Sequence, residues 1–392
     1  MADKITIKVE DDMKLDYIAK EFLSPKYIFI PIKKNSKLKV KDNANIYKND
    51  IVLFEGDIPV RSTISGKVLG VKDALYYNDK TYPSVIIEND FKENEKTRKS
   101  AKKYINKYSL NDFKEVLESF SYDKILNILN KGKSTLVINC IELDPYFGNK
   151  YFMLKDNIDE LLDVIDLISE LYHYNKVIIA IKNLETDIIN EFYDYIGTYP
   201  NIELKLMNNY YPIGHNLVLE NELSINDCTM LDIKDIYELY FVLKKRTSIG
   251  EKYITITGDA VKPRMVIKVK KNSLLSETFI NNFDFTEKMV DVYINGYLSG
   301  YKSNTLNVVI TDDINGIYLS KQKENVRREC ANCGLCSKYC PLKLNPKYVL
   351  DNKKMPDEFK NKCIKCGLCN YLCPSSIDLK RIMSGDTYEK EK

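Results

Sequence analysis

The chain has 392 residues, and its 59 Lys and Arg nearly balance 56 Asp and Glu for a net charge of +3 at pH 7. This leaves no bulk field to draw nucleic acid or an acidic membrane surface. The length suits roughly two or three domains. The opening MADKITIKVEDD has no apolar core of signal-peptide length, and nowhere do 18 consecutive apolar residues occur, so a soluble protein of the reducing cytoplasm is expected. Abundant Lys, Asn, Ile and Tyr, with no Trp, read as compositional drift.

In chain order, residues 26–91 carry the short β-rich runs KYIFIPI, DIVLF, GKVLGV and SVIIE between turn signals, which predicts a small all-β unit with Gly66 at a tight turn. Residues 92–133 read as a linker with helices; its charge run, Lys92 to Lys107, reads as a solvated face. Residues 134–250 switch to alternation: TLVIN, KVIIAI and NIELKLM predict strands. Between the first two, Ile158, Leu161, Leu162, Ile165, Ile168 and Leu171 recur at helical spacing. A βαβαβ order implies a parallel sheet with right-handed crossovers. In residues 251–319, YITITGDAV, RMVIKVKK, VDVYING and LNVVITDD read as strands and SLLSETFINNF as a short helix.

Residues 320–383 hold the sharpest signal. CANCGLCSKYCP begins at Cys330 and CIKCGLCNYLCP at Cys363, leaving Cys140 and Cys228 as the remaining cysteines. Cys-x2-Cys-x2-Cys-x3-Cys-Pro is the bacterial ferredoxin run, whose fourth cysteine serves the opposite cluster. Two [4Fe-4S] clusters are therefore expected, one on Cys330, Cys333, Cys336 and Cys373, the other on Cys363, Cys366, Cys369 and Cys340. Gly334 and Gly367 let backbone wrap a cluster, and Pro341 and Pro374 stop regular structure. Tetrahedral zinc would leave the third cysteine of each triplet and the Cys-Pro without a reason. A disulfide framework does not suit so large a chain with clustered cysteines.

Together these segments carry a family resemblance. KYIFIPI through GKVLGV and YPSVIIEND resemble the lipoyl-like barrel-sandwich of the RnfC-like family, the C subunits of the Rnf ion-translocating ferredoxin:NAD oxidoreductase. INCIELDPYF resembles that family's strand-end acidic motif, YITITGDAVKP its entry into a β-grasp, ligand-binding (SLBB-like) module, and ITDDINGIYLSKQKE the approach to the clusters. The resemblance spans residues 26 to 383 and implies a multidomain α/β plus β protein. Its domains would be a barrel-sandwich, a parallel-sheet domain related to the complex I flavin subunit, the β-grasp module and a two-cluster ferredoxin-like domain. Lys67 follows Gly66, but this stretch reads as a structural barrel, not a lipoylation site.

The family's glycine-rich loop, where backbone amides approach the flavin phosphate, corresponds here to KILNILNKGKSTLVIN with Gly132 alone, and a later glycine-rich segment is reduced to YYPIGHNLVLE with Gly214. Such a stretch does not supply the close-approach loop that phosphates need, which argues against FMN and NAD. Glu142 and Asp144, past a strand end, read equally as remnants of a flavin pocket or as turn acids. His173, His215, Cys140 and Cys228 read as structural residues. No catalytic residue is assigned.

The expected function is an Rnf-C-like relay of single electrons between a ferredoxin- or flavodoxin-like carrier and other Rnf-type or reductase subunits, with neither nucleic acid nor a transmembrane segment. Association with the cytoplasmic face of the inner membrane would run through partners. The alternative is an electron-delivery protein for a soluble reductase, like the Rnf-C-like proteins of proline reductase; a complete FMN-dependent NADH dehydrogenase is disfavoured. Arg327, Arg328, Lys338, Lys343, Lys362 and Lys365 crowd the cluster segment and would attract an acidic partner.

Overall fold

A computed structural model describes residues 4–7, 15–77, 80–95, 107–247, 249–279, 282–322, 327–352, 356, 359 and 361–383. Most of the charge run from Lys92 to Lys107 lies outside them.

Strand β1 (Asp16–Phe22) comes first and is followed by β2 (Tyr27–Pro31), β3 (Ser36–Leu38), β4 (Asn45–Ile46), β5 (Ile51–Glu55), β6 (Ile58–Arg61), β7 (Gly66–Leu75) and β8 (Thr81–Asn89). The last seven form two antiparallel sheets, ordered β2-β8-β7-β4 and β3-β5-β6, around a shared core that includes Ile28, Ile30, Val52, Ile64 and Ile87. Gly66 is not in a turn. It starts β7, and a β-carbon there would lie 1.9 Å from the Glu88 carbonyl oxygen, so glycine serves close strand approach.

Helices α1 (Leu110–Ser119) and α2 (Asp123–Leu129) lead into β9 (Thr135–Asn139). Next come α3 (Asn149–Lys155), α4 (Ile158–Tyr172), β10 (Lys176–Lys182), α5 (Thr186–Ile196), β11 (Ile202–Met207), α6 (Asn216–Leu223), β12 (Cys228–Asp232) and α7 (Ile233–Tyr240). The parallel sheet is ordered β11-β10-β9-β12. The expected three strands are present, and α4 buries Ile158, Leu161, Leu162, Ile165 and Ile168 against Leu136, Ile138 and Ile179. The fourth strand was unanticipated: Cys228 opens it, and its alternating partial burial gave no apolar run to read.

The next sheet is assembled from distant parts of the chain. It contains β13 (Glu251–Thr257), β15 (Met265–Lys270), β17 (Val290–Ile294), β18 (Tyr301–Ser303) and β19 (Gly316–Lys321), with the small pair β14 (Val261–Lys262) and β16 (Asp284–Phe285) and helix α8 (Leu275–Phe279) beside it. One expectation is corrected here. LNVVITDD is not a strand: Val308 and Val309 are fully buried but make only isolated bridges, to Leu75 and Leu274, and GIYLSK at β19 takes the place in the sheet. The edge position is filled by β1, which pairs in parallel with β15 and packs Phe22 against this core.

Among the described residues, four short helices follow, at Leu335–Lys338, Pro346–Asn352, Leu368–Tyr371 and Leu379–Ile382, around a small core of Leu344, Val349, Ile377, Leu379 and Met383. No helix among the described residues is long and apolar enough to cross a membrane.

Candidate functional site

The two cysteine runs fold as copies of one backbone pattern. Asn332, Gly334 and Lys343 have positive φ in the first, and Lys365, Gly367 and Ser376, at the same offsets, have it in the second. Left-handed residues alternating with right-handed ones turn successive N–H groups toward one side, a concavity suited to anionic sulfur. Gly334 and Gly367 each stand just before a one-turn helix that carries the third cysteine of its triplet.

This folding brings all eight predicted ligands to two small cavities. One is lined by Cys330, Cys333, Cys336 and Cys373, with Leu350, Ile377 and Leu379. The other is lined by Cys336, Cys340, Cys363, Cys366 and Cys369, with Leu342, Leu344 and Met383 around them. Each cavity thus takes thiols from both runs. Among the described residues, no three His, Cys, Asp or Glu side chains gather tightly enough for a single metal ion; the thiols surround a space instead. That donor set and apolar wall suit a cubane, whose four irons each take one thiolate.

The two cavities differ in depth. Cys333 is exposed, whereas Cys366 is 8% exposed and packs with Leu298, Leu368 and Tyr211 against the rest of the protein. Burial pushes the Cys366 thiol up to about 12, and it raises Cys369, Cys340 and Cys336 as well. Without metal these sulfurs would be protonated, so binding of a metal group there would release protons. Arg327, Arg328, Lys338, Lys343, Lys362 and Lys365 are all exposed around this domain.

The second candidate region is the crevice at the carboxyl ends of β9, β10 and β12, where open α/β sheets bind ligands. It is occupied by protein charge. The Lys150 ammonium, from the start of α3, reaches Asp232 Oδ2 at 2.5 Å and the Asn139 carbonyl oxygen at 3.2 Å. Asp232 uses its other oxygen to accept from the Lys234 N–H and cap α7. Glu142 accepts from the Lys150 backbone N–H. Asp144, fully buried, accepts from the N–H groups of Tyr146 and Leu298 at 3.1 and 3.5 Å.

Desolvation pushes the Glu142 and Asp144 carboxyls up to about 7 and Glu185 up to about 8. Burial alone would lower the Lys150 ammonium, but Asp232 and Glu142 outweigh it and hold it above the ordinary lysine value. His215, at the start of α6, is pulled down to about 4 by burial and is neutral at pH 7; its Nε2 has no hydrogen-bond partner.

These residues do not fit a flavin phosphate. Four carboxyl groups face the region, and its buried lysine is already engaged. The nearby glycines serve protein contacts: a β-carbon on Gly214 would fall 2.1 Å from the Glu142 carbonyl oxygen, and one on Gly296 would fall 2.1 Å from Asp144 Oδ2. Gly132 and Lys133 lie at the opposite, amino-terminal end of the strands, before β9, where Lys133 pairs with Asp227 at 2.5 Å. Cys140 is buried beside this network, burial raising its thiol, and His173 caps the carboxyl end of α4 in a left-handed conformation. Lys150, Asp232, Tyr211 and Lys380 were not singled out in the sequence; each acts through a partner far away in the chain.

Comparison with known proteins bears on both regions. Residues 119–230 match the family model described as the Nuo51 FMN-binding domain. The C subunit of the ion-translocating oxidoreductase complex of Buchnera aphidicola subsp. Acyrthosiphon pisum is 25% identical over 351 residues, covering 80% of this chain and 72% of that protein. The C subunit of the Na(+)-translocating ferredoxin:NAD(+) oxidoreductase complex of Acetobacterium woodii is 21% identical over 321 residues, 75% of this chain and 72% of that one. Its proton-translocating counterpart in Clostridium ljungdahlii is 23% identical over 241 residues, 56% and 51% of the two chains. The resemblance to the Rnf-C subunits holds. Among solved structures, a chain of the NAD+-reducing [NiFe]-hydrogenase in its H2-reduced state aligns with a TM-score of 0.51 at 9% identity, covering 74% of this chain and 65% of that one. At that identity the likeness is one of fold.

The expectation that FMN is absent therefore meets a segment whose family model is that of a flavin-binding domain. The Rnf-like chain carries the fold of that domain together with a crevice filled by its own ion pairs.

Proposed function

We propose that this protein is an electron-transfer subunit of the Rnf-C type, relaying single electrons through two [4Fe-4S] clusters between a soluble carrier and a partner oxidoreductase complex. The observation that carries this reading is the pair of cavities, each lined by cysteines drawn from both runs. When bound, a cubane supplies reversible one-electron storage at a potential set by burial, charge and hydrogen bonds to sulfur.

The protein's part is positioning. Cys330, Cys333, Cys336 and Cys373 would hold the outer cluster, and Cys340, Cys363, Cys366 and Cys369 the inner one. Leu344, Val349, Ile377 and Met383 form an apolar core against which cysteines of both sets pack. The exposed Arg and Lys side chains favour encounter with an acidic carrier such as a ferredoxin or flavodoxin. Partners would be other Rnf-type subunits, the route by which the chain would come to lie at a membrane.

In this reading the α/β domain is a scaffold and holds no tightly bound FMN, because the crevice offers a phosphate no converging free donors and an unpaired buried charge is costly. The test is anaerobic expression with excess riboflavin, followed by iron, sulfide and acid-released flavin analysis and an assay of NADH-dependent viologen reduction. Expected are about eight irons per chain, as two cubanes require, with flavin far below stoichiometry. Near-stoichiometric flavin with rapid NADH turnover would overturn the scaffold reading, and iron at the level of a single zinc-like site would overturn the relay.

A further inference from the structure

A cleft of about 330 Å³ opens between α6 and the first cysteine run. Val218 and Asn221 line it from α6, and Tyr339, Pro341 and Leu342 line it from the run. Pro341 and Leu342 also line the inner cavity. The segment that carries Cys340 is therefore a shared wall, with the cleft on one side and the inner thiols on the other. Pockets of this size at the boundary between domains are common seats for a ligand or an anchoring side chain.

The charges around the cleft are unequal. Lys4 is answered within it: its ammonium lies 2.7 Å from Glu222, which also accepts from the Tyr210 hydroxyl at 3.0 Å. Lys343, also in its lining, is exposed. The Lys338 ammonium stands 5.3 Å from the centre of the Tyr339 ring. Exposed Lys365 follows Ile364, which packs in the same apolar cluster as Tyr211 and Tyr339. Lys4, Lys338, Lys343 and Lys365 against Glu222 leave three net positive charges. At the outer cavity, Lys347 pairs with Asp351 at 2.5 Å, and Arg328, whose N–H donates to the Ser375 carbonyl oxygen, lies between exposed Arg327 and exposed Glu329. Arg327, Arg328 and Lys347 against Glu329 and Asp351 leave one. A cubane with four thiolates adds the same charge at either end, so the difference between the ends stands.

We propose that this cleft is the docking seat of an acidic one-electron carrier protein, whose carboxylates meet Lys338, Lys343 and Lys365 while one of its apolar side chains fills the space beside Pro341 and Leu342. This rests on the two-cluster reading above and names where its soluble carrier binds. Charge complementarity at the rim steers the encounter, and a filled, desolvated pocket holds the complex. The carrier then lies against the segment that holds Cys340. One electron leaves the reduced carrier and enters the inner cluster; no bond forms and no proton moves.

The test uses the full chain, prepared anaerobically, with an acidic bacterial ferredoxin as the probe. Calorimetry gives the dissociation constant, and a benzophenone side chain placed singly at Asn221 or at Tyr348 reports the site by photo-cross-linking. Both positions are exposed, one in the cleft and one beside Lys347 of the outer cavity. The expected result is a ferredoxin adduct from Asn221 and none from Tyr348. Lys343→Glu and Lys365→Glu should each weaken binding about tenfold at low salt. Asn221→Trp, which fills the cleft from an exposed helix position, should weaken it at low and high salt alike. Arg328→Glu should stay near the wild-type value. Full affinity in folded, iron-replete Lys343→Glu and Asn221→Trp, an equal loss in Arg328→Glu, or an adduct from Tyr348 alone would overturn the proposal. So would a cleft that takes anthraquinone sulfonate but no ferredoxin, or a dimer of this chain that Asn221→Trp dissolves, since the occupant is then a small molecule or a second copy. Wild-type iron and sulfide below two cubanes would instead overturn the two-cluster reading, while the adducts still decide the docking site.

Discussion

The Tyr211 hydroxyl donates a hydrogen bond to the backbone carbonyl of Cys366, 155 residues further along the chain. Tyr211 also donates its backbone N–H to the Ile5 carbonyl oxygen at 2.9 Å, so one residue joins the amino-terminal segment, the α/β domain and the inner cysteine cavity. Removing the hydroxyl as Tyr211→Phe leaves a buried carbonyl without its donor, which costs roughly 1–3 kcal/mol. The expected outcome is a lower midpoint of unfolding and faster iron loss to a chelator, measured on the same sample; unchanged chelation kinetics would mean that the bond does not secure the cavity.

Gly334 and Gly367 are equivalent in sequence but not in surroundings. A β-carbon on Gly334 meets nothing within 4 Å, whereas one on Gly367 would lie 1.9 Å from the Leu298 carbonyl oxygen. Both have left-handed φ, so Gly334→Ala should cost about 1–2 kcal/mol. Gly367→Ala adds a clash with backbone and should separate the cluster domain from the β17–β18 turn. Limited proteolysis and iron content report the difference; equal behaviour of the two variants would contradict it.

The cross-donated ligands give a third prediction. Cys373→Ala removes a thiol from the outer cavity, so the outer cluster should be lost or converted while the inner EPR signal persists. If the inner signal alone is damaged, the ligand sets have been exchanged.

Three buried carboxyls should withdraw stability as pH rises. Glu142 and Asp144 are raised to about 7 and Glu185 to about 8, each by desolvation first. A carboxyl with a raised folded pKa stabilises the fold fully below its unfolded value near 4, and the contribution fades as pH climbs through the folded value. His215 works in the opposite sense, because burial depresses it to about 4, but its effect is complete once pH exceeds the unfolded histidine value of about 6.5. Between pH 6.5 and 9 these carboxyls lower the urea midpoint as they ionise, while Lys252, whose ammonium burial holds well below its ordinary value, works against them. Glu185→Gln should flatten part of that slope, since one Glu185 oxygen is buried without a partner and a neutral amide suits the site. A pH slope that Glu185→Gln leaves unchanged would refute this assignment.

If an acidic carrier docks near the exposed basic residues of the cluster domain, the association rate should decline steeply between 50 and 300 mM salt. Stopped-flow reduction of the clusters by a reduced ferredoxin measures it. A rate independent of salt would assign those lysines and arginines to solubility alone.

Much of this architecture was legible because it depends on local spacing. The cysteine runs, the apolar repeat of α4 and the runs of β9, β10 and β11 each carry their own signal. What escaped depends on distant partners. Strand β12 alternates half-buried Cys228 and Met230 with buried Thr229 and Leu231, so no continuous run marks it. Val308 and Val309 looked like strand residues because they are apolar, yet they fill a core while β19 makes the ladder. The crevice was legible only in part. Glycine scarcity was visible, but Lys150 and Asp232 are 82 residues apart, and their pairing emerges only once β9 and β12 lie side by side.

The parallel pairing of β1 with β15 has a consequence for synthesis on the ribosome. Asp16 is matched to Met265 and Phe22 to Val269, so an early-emerging strand completes a sheet whose other members are translated much later. At about 5–20 residues per second the amino-terminal strand waits on the order of 10–50 s for its neighbour. During that interval its backbone donors and acceptors are open to other strands or to chaperones. The two sheets of β2–β8 and the parallel sheet can close meanwhile, so β1 joins its neighbour only after those units have been made.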